Sequence, residues 1–252
     1  MITIELLVLL LSLFLIAALY SSVGLGGASG YLAVLSMASL AENESIWFKQ
    51  YAWSLNLVVA GLAFWQYRRS GHHDVSLSAP FVATSVPMAA IGGYLLVGGD
   101  LYDVLLSIAL IFAAWRLLSG SRKSEKVSIL SIPKASLIGG IIGFASRIIG
   151  TGGGIFLLPA LILGGWATEK QAAATTSLFV WLNSLAGLIG VGLAGRLDLD
   201  HGLLFSFIIA VLLGGIIGSR YGSQVSSQDG IRMILAIVLL LAAAKRVLEV
   251  IA

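Results

Sequence analysis

Two short clusters of glycine interrupt the apolar sequence, and an arginine accompanies the second. The residues of the second cluster that could bind a ligand are Arg147, Gly150, Thr151, Gly152, Gly153 and Gly154. Non-helical backbone at membrane depth is stable only where it lines a cavity or is buried in protein. Free N–H groups at the start of the next helix, near Ile155, attract anions, and the planar guanidinium of Arg147 fits an oxyanion. We therefore predict an anion site here, although an arginine near the end of a span can also extend to lipid headgroups.

The first glycine cluster repeats the second. Residues 23–28 align with residues 149–154 at an offset of 126 (149 − 23), which is half of the 252-residue chain. Such internal symmetry, with apolar segments broken at matching places, is typical of secondary transporters. The candidate residues of the first cluster are Gly24, Gly26 and Gly27, preceded by the hydroxyls of Ser21 and Ser22. Two alternatives remain: the glycines can serve close helix packing, and the hydroxyls can bond to carbonyls of their own helix.

Polar side chains on the span after each cluster complete the candidate set. They are Trp53 and Asn56 in the first half and Thr175, Thr176, Ser177 and Asn183 in the second. Polar groups in an apolar span either line a cavity or form hydrogen bonds between helices. We expect some of them to contact the anion, with interhelical hydrogen bonding as the alternative for the others.

The composition is that of an integral membrane protein. The chain is 58% apolar with a mean hydropathy of +1.00 and only 11% charged residues, against about 25% in soluble domains. The net charge is +3, but the basic residues lie in short loops beside apolar spans and form no stripe suited to nucleic acid. The absence of cysteine excludes disulfides and thiolate metal sites.

The hydropathy pattern predicts an all-α, polytopic fold with about five segments in each half. A first membrane repeat (1–119) and a second (133–252) flank a cytoplasmic linker (120–132). The predicted segments are 2–22, 28–40, 48–67, 76–97 and 101–118, then 134–149, 155–163, 171–194, 201–221 and 231–250. We interpret the first segment as a membrane helix and not a signal peptide, because it carries Glu5 and has no basic region before it. The glycine-broken pairs are predicted to form hairpins that re-enter the membrane or cross it obliquely.

The basic residues predict the orientation. With the Arg68-Arg69 loop and the linker in the cytoplasm, ten basic residues lie on that side and four on the other, and both termini lie outside. Because five is an odd number, the two repeats then insert in opposite directions. Four segments per half would instead give parallel repeats.

Other groupings of reactive residues predict little chemistry. His72, His73 and Asp74 lack a complete set of metal ligands and are expected to be a solvated loop. Asp100 and Asp103 fall in a turn, which argues against an intramembrane aspartyl protease. We find no nucleophile paired with a base and no phosphate-binding or His-Glu-x-x-His motif, so no enzyme activity, metal or cofactor is expected.

The second glycine cluster continues into a longer motif that carries a family resemblance. The motif is Ile149-Gly150-Thr151-Gly152-Gly153-Gly154-Ile155-Phe156-Leu157-Leu158-Pro159, followed by Lys170-Gln171-Ala172-Ala173-Ala174-Thr175-Thr176-Ser177. It resembles the sulfite exporter TauE/SafE family, also called the toluenesulfonate uptake permeases, and the likeness covers nearly the whole chain. The resemblance implies a bacterial inner-membrane transporter of sulfite, thiosulfate or organosulfonates. The first half departs from the motif, with Ala28 at the third glycine and Ala33 at the proline.

The charges in the predicted spans also indicate how transport is driven. No Asp, Glu or Lys lies in the middle of any predicted span, so the acidic relay of many proton-coupled carriers is missing. An anion that leaves a cell held negative inside gains about 2.3 kcal/mol per charge per 100 mV. We therefore expect export by alternating access, with the two repeats rocking around a central site. The alternative is a channel or membrane sensor that binds the anion without cycling. The expected partners are the anion and the lipid bilayer, and no oligomeric state is predicted.

Overall fold

The described part of the protein is helical throughout its regular elements. The computed structural model describes residues 4–37, 45–95, 115, 128, 130–150 and 152–251. The helices are α1 (Ile4–Ser21), α2 (Ala28–Met37), α3 (Ser45–Arg69), α4 (Val75–Leu95), α5 (Ile132–Ile149), α6 (Gly154–Leu163), α7 (Glu169–Leu193), α8 (His201–Arg220) and α9 (Gln228–Ile251), and a π-helical turn (Tyr221–Val225) extends α8. The predicted all-α class is confirmed. The segment predicted at 101–118 and most of the linker lie outside the described residues.

Lipid-facing and interior helices differ in composition. Three described helices are long and apolar enough to cross a membrane, namely α1, α7 and α8 with its π turn. Leu7, Leu11 and Leu15 on α1 are all more than half exposed, which suits a face toward lipid. Helix α3 has the same length as α7 but is more polar, and it buries Gln50 and Asn56. Helix α7 also buries polar side chains, among them Asn183 and Ser184, so the polar groups of both central helices lie inside the bundle.

The helices repeat in length and order. Helices α1, α2 and α3 have 18, 10 and 25 residues, and α5, α6 and α7 have the same lengths. The packing repeats as well, because α1 packs on α8, α4 packs on α5, and α3 packs on α7. The first helix of each half therefore packs against the fourth helix of the other half, and the matching helices α3 and α7 meet at the centre.

Hydrogen bonds give the relative direction of α3 and α7. Near the start of α3, the Nε2 of Gln50 donates to the carbonyl oxygen of Arg196, just beyond the end of α7, at 3.0 Å. Farther along α3, the Nδ2 of Asn56 donates to the Oγ of Ser184, which precedes Arg196, at 3.3 Å. These two matching helices therefore run in opposite directions.

Glycines bring the two other helix pairs into backbone contact. A Cβ atom added to Gly218 of α8 would lie 2.7 Å from the carbonyl carbon of Ala18 on α1. A Cβ atom added to Gly143 of α5 would lie 2.6 Å from the Cα of Ser85 on α4. Because any side chain would separate these backbones, glycine at both positions fixes the close approach.

The two ends of the bundle are held by different contacts. At one end, called the His72 end, the Nε2 of His72 and the Nζ of Lys170 lie 3.2 and 3.3 Å from the carbonyl oxygen of Ser223 in the π turn. At the opposite end, called the Tyr51 end, the hydroxyl of Tyr51 accepts a hydrogen bond from the N–H of Asp200 at 2.8 Å. At the His72 end the loop after α3, the π turn and the start of α7 are thus tied together, and at the Tyr51 end α3 is tied to the loop before α8.

Candidate functional site

The first glycine break, residues 22–27, separates α1 from α2. The N–H of Leu25 donates to the carbonyl oxygen of Tyr20 at 2.9 Å and so closes the end of α1. Gly24 and Gly27 have φ angles of +76° and +100°, which a residue with a Cβ atom rarely adopts. The chain therefore leaves one helix and starts the next inside the bundle, and glycine is required for both turns.

The second glycine break, residues 150–153, separates α5 from α6. Gly150, at φ +85°, closes α5 by donating its N–H to the carbonyl oxygen of Ser146 at 2.9 Å. Gly152 and Gly153 have φ angles of +75° and +80°, and Gly153 is the N-cap of α6 without a side chain to cap it. The first N–H groups of such a helix are available to a ligand.

Two further predicted ligands of this break are Thr151 and Arg147. Thr151 lies outside the described residues, as does the side chain of Arg147. The backbone of Arg147 belongs to the last turn of α5, one turn before Gly150. Their contacts with an anion therefore stay predictions.

Asn56 lies between the two breaks. A Cβ atom added to Gly26 would lie 2.6 Å from the Cγ of Asn56, and one added to Gly152 would lie 2.9 Å from its Nδ2. Asn56 is fully buried, and its Oδ1 has no hydrogen-bond partner in the described part of the chain. It is the twelfth residue of the 25-residue α3, so both breaks meet at about half the depth of that helix.

Val180 faces the same point from α7, where it is also the twelfth of 25 residues. Its side chain lies 3.1 Å from a Cβ atom added to Gly26 and 2.5 Å from one added to Gly154. The matching positions of the two halves thus carry an amide and an apolar side chain. From α7 the nearby polar group is instead the hydroxyl of Ser184, four residues later, which accepts the hydrogen bond from Asn56.

The side chain of Lys49, which is not among the predicted site residues, lies along the second break. Its Cγ, Cδ and Cε lie 2.7 to 3.2 Å from a Cβ atom added to Gly150. One turn farther along α3, the Nε1 of Trp53 donates to the carbonyl oxygen of Gly150 at 3.0 Å. Lys49, Trp53 and Asn56 are spaced four and three residues apart, which is one face of a helix. That spacing, counted back from the predicted residues Trp53 and Asn56, is the signal in the sequence that points to Lys49.

The first break has no matching cation on α7. Ala173 and Lys49 are each the fifth residue of their helix. Gly24 packs against the backbone of Ala173, so that an added Cβ atom would lie 2.6 Å from the carbonyl carbon. A lysine on α3 thus corresponds to an alanine on α7.

Three predicted hydroxyls are engaged with backbone carbonyls. The Oγ of Ser21 donates to the carbonyl oxygen of Gly215 on α8 at 3.2 Å. The Oγ atoms of Ser22 and Ser177 each donate to the carbonyl oxygen three residues earlier, at 2.6 and 2.9 Å. The structure therefore places these three hydroxyls in helix packing and does not direct them into the glycine breaks.

The other predicted polar residues of α7 divide into two groups. Thr175 and Thr176 are buried, and their hydroxyls have no hydrogen-bond partner within the described ranges. Thr176 adjoins the second break, with its methyl group 3.0 Å from a Cβ atom added to Gly154. Asn183 instead donates from its Nδ2 to the Oγ of Ser85 at 3.1 Å and so links α7 to α4.

The polar side chains of the loop at the His72 end form hydrogen bonds within the protein. The Oδ1 of Asp74 accepts bonds from the side chain and the N–H of Ser76, and these bonds lower the pKa of Asp74. Burial lowers the pKa of His72, and the nearby ammonium of Lys170 acts in the same direction. Among the residues that the structure describes, no group of three or more His, Cys, Asp or Glu is arranged to hold a metal ion.

A comparison with known proteins identifies the family. The family model described as sulfite exporter TauE/SafE matches residues 9–246, which include both glycine breaks. The chain belongs to this family. It is 33% identical over 244 residues to the probable membrane transporter protein y4hK of Sinorhizobium fredii, covering 94% of this chain and 96% of that protein. The predicted family resemblance is therefore confirmed, and this TauE/SafE member is a membrane transporter and not an enzyme.

Shorter matches extend to other organisms. The probable membrane transporter protein YunE of Bacillus subtilis is 27% identical over 109 residues, which are 43% of this chain and 39% of that protein. The sulfite exporter TauE/SafE family protein 5 of Arabidopsis thaliana is 31% identical over 102 residues, which are 40% of this chain and 22% of that protein. No solved structure gives a significant match.

Proposed function

We propose that this protein exports small sulfur-containing anions, such as sulfite, thiosulfate or an organosulfonate, across the bacterial inner membrane. The observation that carries the proposal is the meeting of both glycine breaks at Asn56, halfway along α3. Secondary transporters bind substrate near the middle of the membrane, where broken helices from two repeats meet. The same arrangement favours a carrier with alternating access over a sensor.

The second break is the proposed anion site. Its N–H groups at the start of α6 carry a partial positive charge, and the side chain of Lys49 lies along the break. We expect Arg147, from the last turn of α5, to add a second formal charge. Asn56 offers both a donor and an acceptor, which suits an oxyanion that carries a proton, such as bisulfite. Each anion thus replaces part of its hydration shell with fixed donors.

We also propose that the two halves form an inverted repeat, with boundaries at 1–119, 120–132 and 133–252. The opposite directions of the matching helices α3 and α7 support this arrangement. In the orientation predicted from the basic residues, the His72 end lies in the cytoplasm and the Tyr51 end outside. Gly24 then lies toward the inside, near the start of α7, and Gly150 lies toward the outside, near the start of α3.

The proposed direction follows from the membrane potential. The described helices carry no Asp or Glu at mid-depth that could couple proton movement to transport. A potential that is negative inside favours anion export by about 2.3 kcal/mol per charge per 100 mV, without a coupling ion.

The deciding experiment is the uptake of labelled sulfite into proteoliposomes held at a positive internal potential. We expect saturable, potential-driven uptake that thiosulfate and a small organosulfonate inhibit, together with counterflow of preloaded sulfite. Sulfite binding without flux would establish a sensor, and flux that neither saturates nor shows counterflow would establish a channel.

Arg147→Gln tests the central residue in the same assay. We expect no flux from this variant, although it inserts and folds normally, because the anion loses its planar charged partner. Arg69→Gln is the matched control, since Arg69 is exposed and lies 5.4 Å over the ring of Trp65, away from both breaks. Wild-type flux in Arg147→Gln would remove Arg147 from the site while leaving the carrier function in place.

A further inference from the structure

A buried tyrosine hydroxyl lies over the start of α2. Tyr31 is the fourth residue of this helix, and its ring leans back toward the N-terminus. A Cβ atom added to Gly27 would lie 2.6 Å from the Cζ of Tyr31 and 2.7 Å from its hydroxyl oxygen. Tyr31 is 0% exposed, and its hydroxyl has no hydrogen-bond partner in the described ranges. The hydroxyl thus lies beside the first break without a hydrogen-bond partner among the described residues.

Tyr20 and Ser29 place a second tyrosine hydroxyl at the same break. The Oγ of Ser29 donates to the hydroxyl oxygen of Tyr20 at 3.0 Å, and both residues are buried. Because Tyr20 accepts this bond, its own O–H proton remains available for another acceptor. Ser29 belongs to the first turn of α2, whose N–H groups form the positive end of the helix.

The second break lacks this group of hydroxyls. At the offset of 126, the positions of Tyr20, Ser29 and Tyr31 correspond to Ser146, Ile155 and Leu157. The only hydroxyl among these three, that of Ser146, donates to the carbonyl oxygen of Gly143 at 2.9 Å. The pair of tyrosine hydroxyls is therefore found at the first break and has no counterpart at the matching positions of the second.

An unpartnered hydroxyl in the interior destabilises the ligand-free protein, because it gives up its hydrogen bonds to water. Replacing the hydroxyl by hydrogen would remove that cost without changing the packing of the ring. Its presence beside a helix N-terminus is explained when a bound acceptor uses it. Two phenolic O–H groups and the N–H groups of α2 are all donors, so the acceptor is an anion.

We propose that Tyr20, Tyr31 and the first turn of α2 form a second anion subsite, the tyrosine subsite, for a small inorganic oxyanion such as sulfite. The proposal rests on the function proposed above. Ser29 acts as a positioning residue that orients the hydroxyl of Tyr20. Because the hydroxyls are fully enclosed, the subsite excludes an aryl sulfonate. Its donors are neutral, so it holds the anion less tightly than the charged second break.

Anion binding to the Arg147→Gln variant isolates this subsite, since that substitution weakens binding at the second break. Labelled sulfite is titrated into purified Arg147→Gln and into Arg147→Gln combined with Tyr31→Phe. We expect the added Tyr31→Phe to weaken the remaining sulfite binding about tenfold or more, the usual effect of losing a hydrogen bond to a charged group. The anion-free double variant should unfold at a higher temperature, because the unpartnered hydroxyl is gone.

Tyr51→Phe in the Arg147→Gln background is the matched control. It removes a hydroxyl that is bonded to Asp200 at the other end of the bundle. Sulfite affinity should stay unchanged and the unfolding temperature should fall, the opposite of both results for Tyr31→Phe. Tyr20→Phe serves as a second test if Tyr31→Phe does not fold, and we expect it to weaken binding severalfold.

The outcomes separate the subsite from the proposed function. Equal sulfite affinities with and without Tyr31→Phe overturn the tyrosine subsite, as does a complete loss of binding in Arg147→Gln when the wild type binds sulfite. In both cases wild-type flux still supports the carrier. A wild-type protein that binds neither sulfite nor thiosulfate overturns both proposals.

Discussion

The two glycine breaks share a backbone geometry and differ in the side chains around it. Gly24 and Gly150 have φ angles of +76° and +85°, and each packs against the fifth residue of the long helix from the opposite half. That residue is Ala173 at the first break and Lys49 at the second. The duplicated backbone is therefore kept in both halves, while the polar side chains have specialised.

The difference in charge between the two breaks is compatible with the proposed anion carrier. A substrate site must bind well enough to be occupied and weakly enough to release. Charged groups at both breaks would hold the anion strongly on both sides of Asn56. In the proposed mechanism, the anion binds at the charged break and leaves past the break with neutral hydroxyls.

The largest effect is expected from Gly24→Ala, which tests the shared backbone geometry. The added methyl group would meet the backbone of Ala173 at a φ of +76°. Overpacking against backbone and the left-handed conformation together should cost about 4 kcal/mol or more. The measurement is the yield of monodisperse protein and its unfolding temperature.

Gly71→Ala is the matched control for that prediction. Gly71 has a φ of +77°, but an added Cβ atom meets nothing within 4 Å. Only the conformational cost of about 1–2 kcal/mol should remain. Equal losses in the two variants would show that the contact with Ala173 contributes nothing.

Asn56→Leu tests whether the amide of Asn56 binds the anion between the two breaks. We expect the substitution to lower sulfite affinity about 10- to 100-fold, because the anion loses a hydrogen bond from a buried amide. The folded protein should persist, since the substitution also removes the unpartnered Oδ1. Equilibrium binding and the unfolding temperature measure the two effects. Val180→Ala is the control on the matching position, and wild-type affinity in Asn56→Leu would place the anion elsewhere.

Lys49→Gln tests the charge at the second break. We expect a three- to tenfold higher KM for sulfite and a weaker dependence of KM on salt. The reason is that the variant loses a positive charge whose attraction for the anion is screened by salt. Initial rates at several salt concentrations measure this change. Lys49→Arg should keep the salt dependence, and identical behaviour of Lys49→Gln and Lys49→Arg would exclude a role for the charge.

The smallest effect concerns the His72 end, which adjoins only the first break. Burial lowers the pKa of folded His72 below its unfolded value of about 6.5, so the unfolded chain binds more protons. Its contribution to stability is present above about pH 6.5 and is lost as the pH falls through the folded pKa. The unfolding temperature should thus fall slightly on acidification, and less so in His72→Gln. The same pH dependence in both proteins would contradict this account.

Most helix positions could be predicted from the sequence. The segment predicted at 28–40 corresponds to α2, and the one predicted at 155–163 to α6, because glycine breaks and apolar length are local properties. Helix α7 begins two residues before its prediction, since Thr168 and Gln171 form a capping box ahead of the apolar run. Helix α3 begins three residues before its prediction, at Ser45.

The sequence by itself determined the membrane class, the duplication and the family, because all three depend on composition, spacing and motif. Only the tertiary structure decided which residues meet. It brought Gly26 and Gly152 to Asn56, placed Lys49 against Gly150, and turned Ser21 toward a carbonyl of α8. The physical reason is that the direction of a side chain on a helix depends on which neighbour the helix packs against. Two equal halves of a sequence do not specify that neighbour.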